Sequence, residues 1–482
     1  MPTSVARFLR STFTARGVRA VLTSSPVILL SCCVLWAQNP APGPNSDPTY
    51  QALRNITLSG EAVGVNNLDL KRDAATFHLR SGTVCFLAAV NGRVTGAVFV
   101  GDGNLALSPP DFERSMLKYL TKEDEFSENF SRLVLRFTDL SYDELKKAGT
   151  PGATRCDAGP LKDSQHDMRH KLKENLDARI LEDVLSPSLG GLFVAFIHGK
   201  RYNDQELFTV DPRRARDQVS FITYDMDKRG DWASFPMSGE RKPGTIGHAI
   251  QIEHHQLDTS LEKNGNLIGH AKTDFVAHLD GVRVVPFNLF RTLRVRSVKA
   301  DDGQPLSFIQ EDKNDDAEYS VILPKPLAAG EHYSVTTEYE GKEAVLSEGG
   351  GNYFAVARMN WYPNNRASSF GEYATYDMTF HIPKGMQIAA TGVRVSESND
   401  GGQNVTVWKV RLRRQLPVSA MADSEWRRLS SPSQKSPSNP MPTRSHQTGL
   451  RQSSILHPKI RARHLSQASQ IISEKAHHPL AT

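Results

Sequence analysis

Glu348-Gly-Gly-Gly-Asn-Tyr-Phe-Ala-Val-Ala-Arg-Met-Asn-Trp-Tyr-Pro363, continued to Ala390-Thr-Gly392, carries the most informative strand and turn signals of the chain. Three consecutive glycines open backbone angles closed to other residues, which suits a tight approach or a loop rim at 349–351. Tyr353 to Tyr362 is then aromatic and apolar and Pro363 closes it, the pattern of a strand running into a loop. Tyr376-Asp-Met-Thr-Phe-His-Ile382 alternates in polarity and stops at the turn Pro383-Lys-Gly385. Met386 to Ala390 is another short strand before Thr391-Gly392. Strand, long loop, strand, turn, strand: this predicts part of an antiparallel sheet around an aromatic core.

Upstream, Ala249 to Leu257, Ala271 to Leu279, Leu293 to Val298, Leu306 to Glu311, Tyr319 to Leu323 and His332 to Tyr339 read as successive strands. Asn264-Gly265, Asp301-Asp-Gly303, Pro324-Lys-Pro326, Gly330 and Gly341 separate them as turns. Asn404 to Val410 adds a last strand. Many short strands with evenly spaced turns predict an antiparallel β-sandwich or saddle over 247–410. Residues 48–235 read as a strand-rich α+β domain. Its strands are expected at 75–79, 83–90, 94–101, 130–137, 192–197, 207–210 and 219–224, with Asn91-Gly92 as a hairpin turn. Helices are expected after Ser108-Pro-Pro, over Leu140–Ala148, and from Asp163 to Leu185, where Met168, Leu172, Leu176, Ile180 and Val184 recur every four residues. A polar, turn-rich linker over 236–246 joins the two domains. The chain as a whole is mainly β.

The 482 residues have room for two or three domains, and 39% hydrophobic with 23% charged residues is an ordinary globular composition. The net charge of +5 is unevenly spread. Residues 1–46 carry +4 and residues 411–482 carry +9, leaving 47–410 at −8. An acidic body gives no reason to expect a nucleic-acid partner.

Arg7, Arg10, Arg16 and Arg19 precede the apolar run Val27–Ala37, which is too short to span a bilayer but suits a secretory signal, 1–37. A secreted or periplasmic protein is expected. Leu29-Leu-Ser-Cys32 also resembles a lipoprotein box; lipidation of Cys32 would make the chain an outer-membrane lipoprotein, the one route to a membrane partner. Cys85 and Cys156 remain in the mature chain, either as buried thiols or as a bridge.

The motif order in the second domain resembles the N-terminal β-domain of the aminopeptidase N (membrane alanyl aminopeptidase) zinc metallopeptidase family. The residues that carry it are Trp361-Tyr-Pro363, Glu372, Tyr376 to Phe380, Pro383-Lys-Gly385 and Ala389-Ala-Thr-Gly392. Asp301-Asp-Gly-Gln-Pro-Leu306, Leu323-Pro-Lys-Pro-Leu327 and Gly330-Glu331 follow the same order. The resemblance covers about 247–395, and residues 48–235 look like an added domain in front. It implies a parent that removes N-terminal residues from peptides with zinc. It also implies that an amide or carboxylate about eleven residues before the aromatic-Pro segment holds the substrate's free amine. Counting back reaches Asn352, with Glu348 close by; the plainer reading of both is as parts of a structural loop.

The family's catalytic domain would begin near Arg411 with Gly-x-Met-Glu-Asn and His-Glu-x-x-His. Neither occurs, and none of the sixteen histidines is followed by Glu. His166-Asp-Met-Arg-His170 has the helical spacing of a zinc pair. Asp167 stands at the general-base position, however, and the family's third ligand would fall on Leu189. The pair is read as solvent-facing. His248, Glu253, His254 and His255 split two and two across a strand, with His255 on the side of Glu253, so they too are read as structural. This chain is therefore expected to hold no cofactor, zinc belonging to the complete parent, and peptide is expected as a substrate of that parent alone.

Residues 411–482 change character, with thirteen Ser, seven Pro and Trp426 as the single aromatic residue. Such a composition predicts a disordered basic tail. It is read as out-of-frame translation after a frameshift or as a natural basic tail. Whether the chain is an enzyme stays open; the other reading is a non-enzymatic periplasmic binding or scaffold protein using the Tyr353–Tyr362 aromatic face.

Overall fold

A computed structural model describes residues 43–423, apart from 124, 153–155, 189, 200, 202–204, 215–216, 225–229, 239–248, 316–317, 356–359, 366–371 and 415–418. The expected signal 1–37, Cys32, most of the linker 236–246, and the tail beyond Asp423 lie outside the described residues.

The first part begins with helix α1 (Pro48–Arg54), capped by the Asp47 carboxylate, which accepts from Tyr50 N. The strands β1 (Leu58–Arg72), β2 (Ala75–Leu87), β3 (Gly96–Leu107), β4 (Phe126–Phe137), β5 (Thr150–Pro151), β6 (Phe193–Gly199), β7 (Glu206–Val210), β8 (Val219–Thr223) and β9 (Gly230–Phe235) follow. Among the described residues they form one antiparallel sheet ordered β5-β1-β2-β3-β4-β6-β7-β8-β9, close to chain order. The Asn91-Gly92 turn between β2 and β3 has both residues left-handed, φ 49° and 74°. The two strands expected at 75–79 and 83–90 are one, β2.

Both faces of this sheet are covered. One face gathers Phe77, Phe99, Phe130, Phe193, Phe208, Phe221 and Trp232 with Leu117 of α2 (Asp111–Thr121) and Leu145 of α3 (Ser141–Ala148). The other carries Val98, Val134, Val194 and Phe196 beneath α1, α4 (Gly159–Asp167) and α5 (Leu176–Val184). With both faces buried, β6 reads Phe-Val-Ala-Phe-Ile-His-Gly without polar alternation. Cys85 of β2 and Cys156 are joined in a disulfide, which settles the open choice between bridge and thiols.

The single helix expected from Asp163 to Leu185 is corrected. α4 passes into a π-helical turn, Met168–Leu172, and ends at Lys173 in the left-handed region, whose N–H bonds Met168 O. Asn175 then starts α5 afresh, its side chain accepting from Ala178 N. The four-residue apolar repeat is real, but this N-cap and the left-handed residue interrupt the backbone within it.

The second part contains β10 (Ile250–Leu261), β11 (Leu267–Ala277), β12 (Val282–Phe287), β13 (Arg294–Ala300), β14 (Ser307–Gln310), β15 (Tyr319–Leu327), β16 (His332–Gly341), β17 (Val345–Gly349), β18 (Asn352–Ala355), β19 (Ala374–Pro383), β20 (Met386–Ala390), β21 (Val393–Asp400), β22 (Gln403–Arg414) and β23 (Ser419–Asp423). These form a seven-stranded sheet, β13-β16-β11-β10-β19-β22-β21, a three-stranded sheet, β12-β15-β14, and a four-stranded sheet, β17-β18-β23-β20. All pairs are antiparallel except β10 with β19. One core draws on all three: Ile252, Phe275 and Phe380 from the first, Val285, Phe308 and Val321 from the second, Ala355, Ile388 and Met421 from the third. The expectation that order ends at Arg411 is corrected, because β22 runs to Arg414 and β23 pairs with both β18 and β20.

The three-stranded sheet belongs to both cores. Val285, Phe308 and Val321 enter the core of the second part, while their neighbours Val284, Ile309 and Ile322 enter the cluster beneath α1 and α5. Period-two alternation sends adjacent residues to opposite faces, so each strand of this sheet contributes to two interiors. Asn45 continues the free edge of β14: its N–H donates to Phe308 O at 2.9 Å and its Oδ1 accepts from Gln310 N at 2.9 Å.

Where α5 ends against β12, Gly281 has φ +84°, and a Cβ there would stand 2.4 Å from Ser186 Oγ. Gly281→Ala is expected to cost about 2 kcal/mol through left-handed strain and that clash, read as a lower urea midpoint at unchanged slope. Replacing both Cys85 and Cys156 by Ser releases a loop with a sequence separation of 71. The loop-closure argument puts the loss at about 4 kcal/mol, measured by the same titration under non-reducing conditions.

Candidate functional site

The glycine run forms the tip of the β17–β18 hairpin. Gly349, Gly350 and Gly351 have φ of 80°, 60° and 79°, angles that favour glycine at three successive positions. Glu348 is exposed on one side of the tip. Asn352 stands on the other, half-buried, its Nδ2 donating to Gly349 O at 3.3 Å. The two residues picked from the sequence thus flank one exposed turn.

The aromatic-Pro segment lies elsewhere and differs from the expected strand. β18 is described as far as Ala355, and Trp361 and Tyr362 are a bend, 1% and 0% exposed. Asn364 exchanges both backbone hydrogen bonds with Asn288, at 2.7 and 3.0 Å. An aromatic face offered to a partner is therefore absent at Trp361 and Tyr362, because both rings are in the core; 356–359 lie outside the described residues.

Behind this bend is a buried polar cluster. Asn364 Nδ2 donates to the Tyr362 hydroxyl at 3.1 Å, which lies 3.3 Å from that of Tyr376. Asn365 Nδ2 donates to Glu372 Oε2 at 3.0 Å, and Glu372 N donates to Asn364 Oδ1 at 3.3 Å. His255 stacks on Tyr376 with ring centres 5.3 Å apart and meets Tyr362 edge-on at 5.1 Å. Its Nδ1 is 3.1 Å from Thr273 Oγ1, and its Nε2 has no partner among the described residues. Burial, helped by the neighbouring His254, pushes the imidazole down to about 3. Burial likewise pushes the Tyr376 phenol up to about 12 and the Tyr362 phenol well up. These three groups are therefore neutral at pH 7 and serve as hydrogen-bonding and packing groups.

The expected partition of the histidine cluster is corrected here. The β10–β11 register shifts between Ile252 and His254, so a bulge reverses the parity. Ile252 and His255 point inward, while Glu253 and His254 both lie on the less buried side. His254 Nδ1 is 2.8 Å from Thr375 Oγ1, and Glu253 Oε2 is 3.0 Å from His332 Nδ1. His248 lies outside the described residues. His166 and His170 have ring centres 4.5 Å apart, but His170 Nδ1 faces Asp315 at 3.1 Å. Among the described residues, no three of His, Cys, Asp and Glu are grouped so as to hold one metal ion.

Sequence reasoning missed a buried ion network that fastens α5 to the β7–β8 connection. Arg179 makes a forked pair with Asp211, with bonds of 2.8 to 3.2 Å, and reaches Asp183 at 3.1 Å. Arg213 pairs with Glu182 and, at 2.8 Å, with Asp183. Burial disfavours the charged form of Asp211, yet Arg179 outweighs it and holds the carboxyl down to about 2. Burial raises Glu182. Arg179-Ile-Leu-Glu-Asp183 looks like any solvated helix face; the one available signal was Asp211-Pro-Arg-Arg214, charges placed directly after an apolar strand.

No family model and no curated protein matches the chain. Similar solved structures include an M1 zinc metallopeptidase from Deinococcus radiodurans, 18% identical, covering 36% of this chain and 42% of that one at a TM-score of 0.32. A mutant M1 zinc metallopeptidase from the same organism bound to a Tyr-Ser-Ala substrate is 17% identical, covering 36% and 43% at 0.33. A two-domain M1 zinc metallopeptidase mutant bound to L-arginine is 18% identical, covering 39% and 44% at 0.32. The chain spans less than half the length of each.

His255 generates a pH dependence. Its folded value of about 3 lies below the unfolded imidazole's roughly 6.5. Its contribution is thus whole above pH 6.5 and is lost as pH falls towards 3, by about 1.4 kcal/mol per pH unit. Urea midpoints of the wild type and His255→Phe between pH 7 and 4 should diverge in slope, the variant lacking this acid-sensitive component.

Proposed function

We propose that this chain is the exported, non-catalytic front portion of an aminopeptidase N-like zinc metallopeptidase. The observation that carries the reading is the ordered set Trp361-Tyr-Pro363, Glu372, Tyr376–Phe380 and Pro383-Lys-Gly385. All but the Pro383-Lys-Gly385 turn also meet in space: Glu372 is hydrogen-bonded to Asn364 and Asn365, next after the aromatic-Pro bend, and Tyr362 meets Tyr376. A motif that largely closes into one buried cluster is explained by a shared fold better than by chance strands.

The parent reaction is removal of N-terminal residues from peptides, with zinc supplying an activated water. The donor set of this chain does not suit that ion, since no His is followed by Glu and no three ligands converge among the described residues. On this reading the chain is inactive alone. Glu348 and Asn352 sit on a hairpin tip where an amide and a carboxylate could receive a substrate's amine from a domain standing opposite. Export is supported by the Cys85–Cys156 bridge, which persists in oxidising compartments. The basic tail is out-of-frame translation after a frameshift. The strand pairing of Ser419–Asp423 favours a break after codon 423 rather than at 411.

A second reading, a binding module, is favoured by α2, which exposes Phe112, Met116, Tyr119 and Leu120 at i, i+4, i+7 and i+8. A stripe of this kind on a soluble helix usually marks an interaction face.

The purified chain, supplied with zinc and aminoacyl-anilide substrates, should show no turnover and retain no stoichiometric metal after desalting. Turnover with one bound zinc per chain would overturn the non-catalytic reading. Nucleotide sequence beyond codon 423 should contain His-Glu-x-x-His in another frame; its absence from every frame would sink the frameshift.

A further inference from the structure

We infer that the first part of the chain holds a monovalent halide, chloride in its natural setting, in a cleft between the helices and the β4–β6 face of the nine-stranded sheet. The walls are Arg54 of α1, Arg136 of β4, Ser164 and Gln165 of α4, Arg169 of the π-helical turn, and Leu176 and Asp177 at the start of α5, with Met168 and Phe196 closing it. The open space suits one particle the size of a water molecule or halide ion.

Charge decides between those two occupants. Three guanidinium groups line the cleft, and two carboxylates compensate them. Asp177 takes Arg136 at 3.0 Å, Arg54 at 3.6 Å and Arg169 at 3.9 Å, and Glu311 takes Arg54 at 3.1 Å. One positive charge is left over in a site where Arg136 is 3% exposed and Asp177 5%, with the Arg169 side chain reaching partly into solvent. Of the other charged side chains nearby, Lys171 is matched with Asp167, and Asp315 faces His170. A buried cation without a counter-charge is costly, and one monovalent anion neutralises it.

Hydrogen bonding points the same way. Arg136 Nε and Gln165 Nε2 are buried donors without partners among the described residues. Among the described residues, no fully buried acceptor of the cleft lacks a partner. Both free groups are donors, so the occupant must accept from both, as a halide does without offering protons in return. Arg54 joins α1 to Asp177 and, through Glu311, to the edge of β14, so the ion would strengthen the contact between the two parts of the chain.

Bromide replaces chloride and scatters anomalously. In crystals of the full chain soaked in sodium bromide, a peak is expected between Arg136 Nε and Gln165 Nε2, and it should disappear in Gln165→Leu. In solution, exchanging gluconate for chloride at constant ionic strength should raise Tm by about 1–3 °C and saturate. Gln165→Leu should fold and lose most of that rise. A cleft without a bromide peak, a peak kept in Gln165→Leu, or a melting temperature equal in the two salts would overturn the assignment. A bromide peak that appears at high concentration alone, with no saturable rise in Tm, would mean an adventitious ion only and would overturn it equally.

Discussion

The three-stranded sheet β12-β15-β14 is the constraint on which the rest depends, because each of its faces feeds an apolar interior. Val285, Phe308 and Val321 fill one interior, and Val284, Ile309 and Ile322 fill the other. A one-residue slip in any of these strands would exchange the two sets and leave both interiors mismatched. Register here is therefore held by two cores at once. Asn45 fastens the entering chain to the edge of the same sheet, and Gly281 allows the end of α5 to approach it.

Around that apolar junction the charges follow a consistent plan. Tyr50 of α1 meets Glu311 and accepts from Asn175 at 2.9 Å, Arg54 bridges Asp177 and Glu311, and His170 faces Asp315. Each pair joins a helix of the first part to the β14–β15 region of the second or to a helix beside it. A single pair with an exposed member, such as His170 with Asp315, contributes little, but the others are half-buried or better and share partners. The polar cluster behind Trp361 differs in kind. It keeps its histidine and its tyrosines neutral, and so gives the bend fixed hydrogen-bonding partners around the Glu372 carboxyl.

Much of the fold was legible because its strands follow simple patterns. Tyr376–Ile382 alternates cleanly, and Asn91-Gly92 and Asn264-Gly265 are turns that almost any reading finds. What escaped was of three kinds. β1 and β21 carry few apolar residues, β21 being exposed along its whole length, so no hydrophobic period announces them. The π-helical break at Met168–Leu172 leaves the four-residue repeat intact and changes the backbone alone. The β10 bulge adds one residue and reverses which histidine faces inward, a change that only the partner strand reveals. Of the candidate site, the hairpin tip could be placed from its glycines, but the meeting of Glu372 with Asn364 and Asn365 needs the fold. The arginine cleft could not be found from sequence, since Arg54, Arg136 and Arg169 are far apart in the chain and each reads as surface charge.

The most direct test of a sheet shared by two interiors is native-state hydrogen exchange on Ile322→Ala. Ile322 faces the helix-side interior, yet its strand carries the other core as well. The account predicts that amides of β4 and β6 and those of β10 and β11 lose protection together, by the same free energy of about 2–4 kcal/mol. Loss confined to β4 and β6, with β10 and β11 unchanged, would contradict it and show two independent cores in contact.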